Sequence, residues 1–191
     1  MNTRIPALFR PSAKIILRRV MGGLLVTASL IAAAGDTPAV SSHHSVPAKL
    51  VQLVRDNTRQ FLDVNAATAA GYGPFLGCVS GTDHGAMGIH YVNPTLVGDG
   101  EIDAAHPEAL IYEPVGNRRR LVGVEYLVDA ATWLAAHDNT PPALEGQVFQ
   151  FVPSPNRFNL QSFFELHVWA WRDNPKGAFV DWNNQVSCEG Q

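Results

Sequence analysis

Four ionisable side chains stand within short apolar segments that have the composition of β-strands. They are His90, Glu113, Glu125 and His167. Side chains alternate between the two faces of a strand, so each of the four shares a face with its next-but-one neighbours, while the opposite face is wholly apolar or aromatic. Because an imidazole or a carboxylate is costly to bury alone, four such groups are best satisfied by converging on a cation or by hydrogen bonding to each other.

Two imidazoles with one or two carboxylates form a ligand set suited to zinc, iron, manganese or copper. We therefore expect His90, Glu125 and His167 to point into one concavity, with Glu113 or His84 as the fourth member. His84 is considered because its glycine-rich loop leads directly into the strand of His90. The alternative is that this face is the solvated side of the sheet, with both glutamates exposed and the two histidines packed singly.

Three aromatic residues near the same segments, Tyr91, Trp169 and Trp171, support a second hypothesis. They would line the pocket of a non-catalytic module that binds a small or aromatic ligand. A metal-dependent enzyme needs an open coordination position and a general base, whereas a binding module needs only apolar walls and a few orienting polar groups. The sequence has no G-x-S-x-G elbow, phosphate-binding loop, dinucleotide fingerprint or H-E-x-x-H helix. Both hypotheses therefore stay open, and so does the question of enzymatic activity.

The elements that position these residues follow from hydrophobic periodicity. Strands are predicted at residues 87–92, 109–113, 121–128 and 164–171, with a further short strand at 147–152. One long amphipathic helix is predicted from about residue 45 to Gly71, and a short helix capped by Asp129 follows the third strand. Residues 71–78 are too rich in glycine for a regular element and are interpreted as a shaped loop. The predicted fold is α+β, a curved antiparallel sheet of four or five strands with the long N-terminal helix packed on it.

The N-terminal residues predict export. Residues 1–34 place five basic residues before an apolar run that ends in Ala32-Ala33-Ala34, which is the order of a cleavable signal peptide. The apolar run is shorter than the ~20 residues that span a bilayer, so a retained membrane anchor is the weaker alternative. A mobile tail is predicted at residues 35–45 and a single domain at 46–191. We expect a secreted or periplasmic protein.

Cleavage would make the protein acidic. Loss of the five basic residues of the leader leaves nine basic against 17 acidic residues, a net charge of −8. A surface of this charge repels phosphate backbones and anionic lipid, so we expect no nucleic acid and no membrane among the partners. A small molecule is the partner that the pocket hypotheses imply, and the oligomeric state is not predicted.

The two cysteines, Cys78 and Cys188, both lie in the mature part of the chain. Disulfides form in the oxidising compartments to which an exported protein is delivered. We therefore expect these two residues to be joined. The disulfide would close the long loop between residues 78 and 188. In the chain-entropy model, a crosslink across so long a loop stabilises the fold by about 4–5 kcal/mol.

Several blocks of sequence resemble a group of exported, uncharacterised bacterial proteins. The blocks are Gly85-Ala-Met-Gly-Ile-His-Tyr91, Ala109-Leu-Ile-Tyr-Glu-Pro114, Leu121-Val-Gly-Val-Glu-Tyr126, Leu166-His-Val-Trp-Ala-Trp171, Asn174-Pro-Lys-Gly177 and Val186-Ser-Cys188. The resemblance covers most of residues 48–188. It implies export and a single compact domain, and it implies no particular activity.

Overall fold

The computed structural model describes residues 48–190, and the predicted signal peptide (1–34) and tail (35–45) lie outside the described residues. The helices in this range are α1 (Lys49–Thr58), α2 (Val64–Ala69), α3 (Pro94–Asp99) and α4 (Ala130–Ala136), with a 3-10 helix at Arg59–Leu62. The strands are β1 (Gly73–Gly81), β2 (Gly85–Val92), β3 (Ala109–Val115), β4 (Arg118–Asp129), β5 (Ala143–Leu144), β6 (Gln147–Val148), β7 (Gln150–Val152) and β8 (Phe163–Val168). No helix among the described residues is long and apolar enough to cross a membrane.

Six of these strands form one curled antiparallel sheet, a half-barrel, in the order β1-β2-β3-β4-β8-β7. The α+β class is therefore confirmed, but the prediction of four or five strands was too low. The missed strand is β1, which covers most of the segment interpreted as a loop. Its pairing with β2 is interrupted between Phe75 and Val79, and again before Ser80, so the strand has no regular alternation to detect. The short strands β5 and β6 form a separate ribbon.

The predicted long N-terminal helix is divided into α1, the 3-10 helix and α2. The break falls at Asp63, whose backbone is extended and whose side chain accepts a hydrogen bond from the backbone N–H of Asn65. An aspartate side chain that bonds to the nearby backbone caps the helix that follows it. The same bond competes with the continuation of the helix that precedes it. The prediction of a single long helix was therefore wrong. The short helix α4 begins as predicted, because the carboxylate of Asp129 accepts from the N–H of Thr132.

The sheet has two faces of different chemistry. The helix-covered face packs against Leu50, Val54 and Phe61 of the N-terminal helices. Its buried side chains are Leu110, Tyr112, Val124, Tyr126, Val128, Leu166 and Val168. The opposite face, called the site face below, carries His90, Glu125 and His167 together with small and apolar residues. The alternation of strand residues therefore separates the hydrophobic core from the ionisable groups.

Two glycines on the site face permit the close approach of neighbouring strands. A Cβ atom at Gly123 would lie 2.7 Å from the carbonyl oxygen of Val168. A Cβ atom at Gly88 would lie 2.8 Å from the carbonyl oxygen of Tyr112, and Gly88 has φ +107°, which other residues rarely adopt. Each glycine stands two residues before an ionisable side chain, so the strands draw together beside the site.

The predicted disulfide is confirmed. Cys78 of β1 is bonded to Cys188, and their Cα atoms are 5.6 Å apart. The bond ties the C-terminal segment to the first strand of the sheet. Part of the same segment packs on the site face, where Val186 joins a small cluster with Ile111 and Trp169.

Candidate metal centre

Strand register brings three of the predicted ligands together. Glu125 on β4 stands directly opposite His167 on β8. His90 on β2 is separated from Glu125 by β3, which presents Ala109 opposite Glu125. His90 stands opposite Ile111, two residues along β3 from Ala109, so the side chains of His90 and Glu125 approach each other diagonally across β3. The three residues therefore converge from three strands, as predicted.

The distances within this His-Glu-His cluster are short. Nε2 of His90 lies 3.3 Å from Oε2 of Glu125, and Nδ1 of His167 lies 3.8 Å from Oε1 of Glu125. One ligand atom from each of the three residues falls within 4.8 Å of the others. The two imidazole rings are nearly perpendicular, with centroids 5.7 Å apart. All three side chains are buried.

Burial leaves His167 with unsatisfied hydrogen-bonding groups. Its side chain is 1% exposed, and neither Nδ1 nor Nε2 has a hydrogen-bond partner within the described residues. An imidazole always carries at least one N–H donor, and the neutral ring also has one free lone pair. Leaving such groups unpaired in a protein interior costs about 1–3 kcal/mol each. Coordination of a cation is one arrangement that would satisfy such a histidine.

Two further carboxylates, not predicted from the sequence, lie beside the cluster. Glu165 stands two residues before His167 on the same face of β8, and it is buried. Asp181 comes from the C-terminal segment, and its Oδ1 lies 3.8 Å from Nδ1 of His167. Glu165, His167 and Asp181 form a second group whose ligand atoms lie within 4.8 Å of one another. Asp181 also accepts a hydrogen bond from the amide of Gln150.

The burial of the cluster shifts its pKa values toward the neutral forms. Desolvation lowers the pKa of His90 to about 4, and desolvation together with the neighbouring His90 lowers the pKa of His167 well below its ordinary range. Desolvation, reinforced by Glu165, raises the pKa of Glu125 far above 4.5, and desolvation raises the pKa of Glu165 to about 7. At neutral pH both imidazoles are therefore uncharged, which is the form that coordinates a metal.

Glu113 does not join the cluster. It lies on the same strand as Ala109, but four residues further along, beyond Ile111. Its Oε1 accepts a hydrogen bond from the backbone N–H of Ser187, and its Oε2 lies 3.3 Å from Nη1 of Arg120. Period-two alternation predicts the face of a side chain but not its height along the strand. Glu113 therefore anchors the C-terminal segment instead of facing His90.

His84 is also outside the cluster. It lies in the turn between β1 and β2, where it is exposed and its ring centroid is 6.2 Å from that of Trp182. Six residues of extended chain separate His84 from His90, which corresponds to roughly 20 Å. A loop histidine this far along the strand cannot reach the same ion.

The three predicted pocket aromatics are divided between the two faces of the sheet. Trp169 lies beside the cluster, with its ring centroid 6.2 Å from that of His167, but it is buried and its indole N–H donates to the carbonyl of Val180. Tyr91 packs against Tyr112 on the helix-covered side. The indole N–H of Trp171 donates to the hydroxyl of Thr58, because the chain leaves the strand after Val168. These three rings do not line a common pocket.

A different apolar pocket opens onto the cluster. Its apolar walls are Phe75, Leu76, Val79, Val92, Leu127, Phe158, Leu160 and Phe163, and His90 and Glu125 form its polar floor. Its empty volume is about 370 Å³, including open solvent at the mouth. Residues from the first and the fifth strand of the sheet both line it, so the site face is the concave side of the half-barrel.

Comparison with protein-family models, curated proteins and solved structures finds no match for this chain. Function is therefore inferred from the chemistry of the cluster. Two neutral imidazoles and several carboxylates converge in a buried concavity whose opening is apolar. Such a set is able to hold a cation and to present it to a molecule that enters the pocket.

Proposed function

We propose that this chain is an exported protein that binds one divalent transition metal through His90, Glu125 and His167. The observation that carries the proposal is the fully buried imidazole of His167, neither of whose nitrogens has a hydrogen-bond partner among the described residues. Coordination of an ion would use a lone pair of this ring, and the carboxylates of Glu125 and Asp181 both lie 3.8 Å from its Nδ1. The sequence-predicted secreted or periplasmic location belongs to the same proposal.

The spacing of the ligand atoms supports it. Two ligands that each lie about 2.0–2.1 Å from a tetrahedral ion are about 3.3 Å apart. Nε2 of His90 and Oε2 of Glu125 have this separation, 3.3 Å. Nδ1 of His167 lies 3.8 Å from the other oxygen of Glu125, Oε1, and the ligand atoms of all three residues lie within 4.8 Å of one another, so an ion held by all three would draw these side chains closer together.

The charges of the cluster support a divalent ion. Glu125, Glu165 and Asp181 can carry three negative charges in a site where the imidazoles are neutral. The neighbouring carboxyl of Glu165 raises the pKa of Glu125, so we expect the two carboxyls to keep one proton between them. One divalent ion and this proton would balance the three charges. Zinc, iron, manganese and copper all suit two imidazoles and a carboxylate.

The position of the pocket suggests a metal-dependent enzyme rather than a structural metal site. Three protein ligands leave at least one coordination position for water or substrate, as in catalytic zinc sites. His90 and Glu125 form the floor of the apolar pocket, so the open position would face its interior. Glu165, held beside Glu125, would be placed to move a proton.

Zinc titration by calorimetry tests the proposal. The pair His43-His44 offers two additional imidazoles, so a chain carrying His43→Gln and His44→Gln is the parent for all measurements. We expect one zinc ion per parent chain, and we expect His167→Leu and His90→Ala to abolish binding. His84→Ala is the matched control and should bind zinc like the parent. Equal zinc binding by His167→Leu and the parent would contradict the proposal.

A non-catalytic module that binds a small ligand is the second candidate function. It is supported by the same pocket, eight of whose ten lining residues are apolar. In this case ligand affinity would survive removal of metal and the substitution His90→Ala. Loss of affinity on chelation would favour the metal-dependent alternative.

A further inference from the structure

The apolar pocket has walls that are more exposed than apolar side chains usually are. Phe75 is 38% exposed, Leu76 52% and Leu160 39%, and all three stand at the same pocket. Large apolar groups that gather around a concavity are characteristic of ligand-binding sites, whereas scattered exposed ones are ordinary.

Three phenyl rings come to this pocket from three different segments. Phe75 belongs to β1, Phe158 to the connection between β7 and β8, and Phe163 to the start of β8. The rings of Phe158 and Phe163 lie edge to face, with centroids 6.3 Å apart. Phenyl rings on opposite walls favour a flat aromatic guest, because offset and edge-to-face contacts are each worth about 0.5–1.5 kcal/mol beyond apolar burial.

The polar groups of the pocket lie only at its floor. Among the described residues that line it, His90 and Glu125 are the ionisable ones, and none is a lysine or an arginine. Arg157 lies outside the lining, where its guanidinium stacks on Phe158 and Trp182 and donates to the carbonyl of Ser80. A carboxylate or a phosphate would therefore meet no cation in the walls of this acidic protein. A neutral aromatic molecule with one oxygen at its end would bury its ring against the apolar walls and direct the oxygen toward His90 and Glu125 at the floor.

We infer that the pocket binds a small neutral aromatic molecule that carries a phenolic hydroxyl, with its ring among Phe75, Phe158 and Phe163 and its oxygen toward the metal. The contact of the oxygen with the metal rests on the proposed function. The binding of the ring does not, because the walls are complete without an ion.

Fluorescence of N-phenyl-1-naphthylamine tests the ring-binding part on metal-free protein. We expect the probe to bind the parent and to be displaced by 2-naphthol. Leu160→Asp places a charge in the wall and should weaken probe binding about tenfold or more, because the bound probe would cover the carboxylate and remove it from water. Leu62→Asp is the matched control, since Leu62 is 48% exposed and does not line this pocket. Phe75→Ala, on the opposite wall, provides a second variant with the same expected direction.

The result that would overturn the inference is equal weakening of probe binding by Leu160→Asp and Leu62→Asp, or no probe binding by the folded parent.

A second experiment tests the contact with the metal by comparing 2-naphthol with 2-methylnaphthalene, which has the same rings and no oxygen. Saturating zinc should tighten 2-naphthol about tenfold and leave 2-methylnaphthalene nearly unchanged, as expected for one added oxygen–metal contact. Equal responses of the two compounds would refute the hydroxyl contact. Failure of zinc to bind in calorimetry would instead refute the proposed function and leave the ring-binding result standing.

Discussion

Replacement of His167 by leucine should change the stability of the protein in opposite directions without and with zinc. Both nitrogens of His167 are buried, and neither has a hydrogen-bond partner in the part of the chain that the structure describes. Leucine has a similar volume and no polar atom, so His167→Leu removes two unsatisfied groups that cost about 1–3 kcal/mol each. We expect the metal-free variant to be more stable than the parent by about 2 kcal/mol or more.

Zinc should reverse this order. An ion present at about 1,000 times its dissociation constant stabilises a protein that binds it by about 4 kcal/mol. The parent would gain this amount, and the variant, which lacks a ligand, would not. With zinc the parent should therefore exceed His167→Leu by roughly 2 kcal/mol.

Guanidinium unfolding followed by tryptophan fluorescence, in chelator and in excess zinc, measures both differences. His84→Leu is the control, because His84 is exposed and outside the cluster. It should change stability by less than about 0.5 kcal/mol in either condition. A His167→Leu variant that is less stable than the parent in chelator, as expected for an ordinary hydrogen-bonded histidine, would refute the reasoning.

Three other predictions concern the stability of the fold around the site. Burial raises the pKa of Glu108 to about 8, so the folded protein keeps a proton there that the unfolded chain loses above about pH 4.5. The free energy of unfolding of the parent, relative to that of Glu108→Gln, should therefore fall by up to about 4 kcal/mol between pH 5 and pH 9, as measured by urea unfolding. The double variant Cys78→Ser, Cys188→Ser removes a crosslink between residues 110 apart in sequence and should lose about 4–5 kcal/mol in the same assay, whereas a loss below about 1 kcal/mol would contradict the chain-entropy argument. Gly123→Ala forces a Cβ atom against the carbonyl of Val168 and should cost about 1–3 kcal/mol, while Gly98→Ala, with open space around it, should be neutral or slightly stabilising in thermal unfolding.

Alternation along the strands is enough to predict which residues of the cluster share one face of the sheet. His90, Glu125 and His167 were found because each interrupts an apolar strand with a side chain on one face. Glu113 obeys the same rule, yet it lies too far along β3, because alternation carries no information on register between strands. Register depends on turns and bulges that involve the whole sheet.

The parts that could not be predicted come from irregular segments. Asp181 reaches His167 from the C-terminal segment, and Phe158 and Leu160 reach the pocket from a proline-rich connection. Such segments have no period from which a direction follows. Asp63 did offer a local signal, since aspartate followed by Asn65 is a good helix cap, but the apolar spacing on both sides resembled a continuous helix.

Anomalous diffraction from crystals of the zinc-loaded parent tests the central claim most directly. We expect one strong peak between His90, Glu125 and His167, with ligand atoms about 2.0–2.2 Å from the ion and one coordination position facing the apolar pocket. A peak at the exposed His84, or zinc-loaded crystals with no peak among these three residues, would contradict the proposed metal centre.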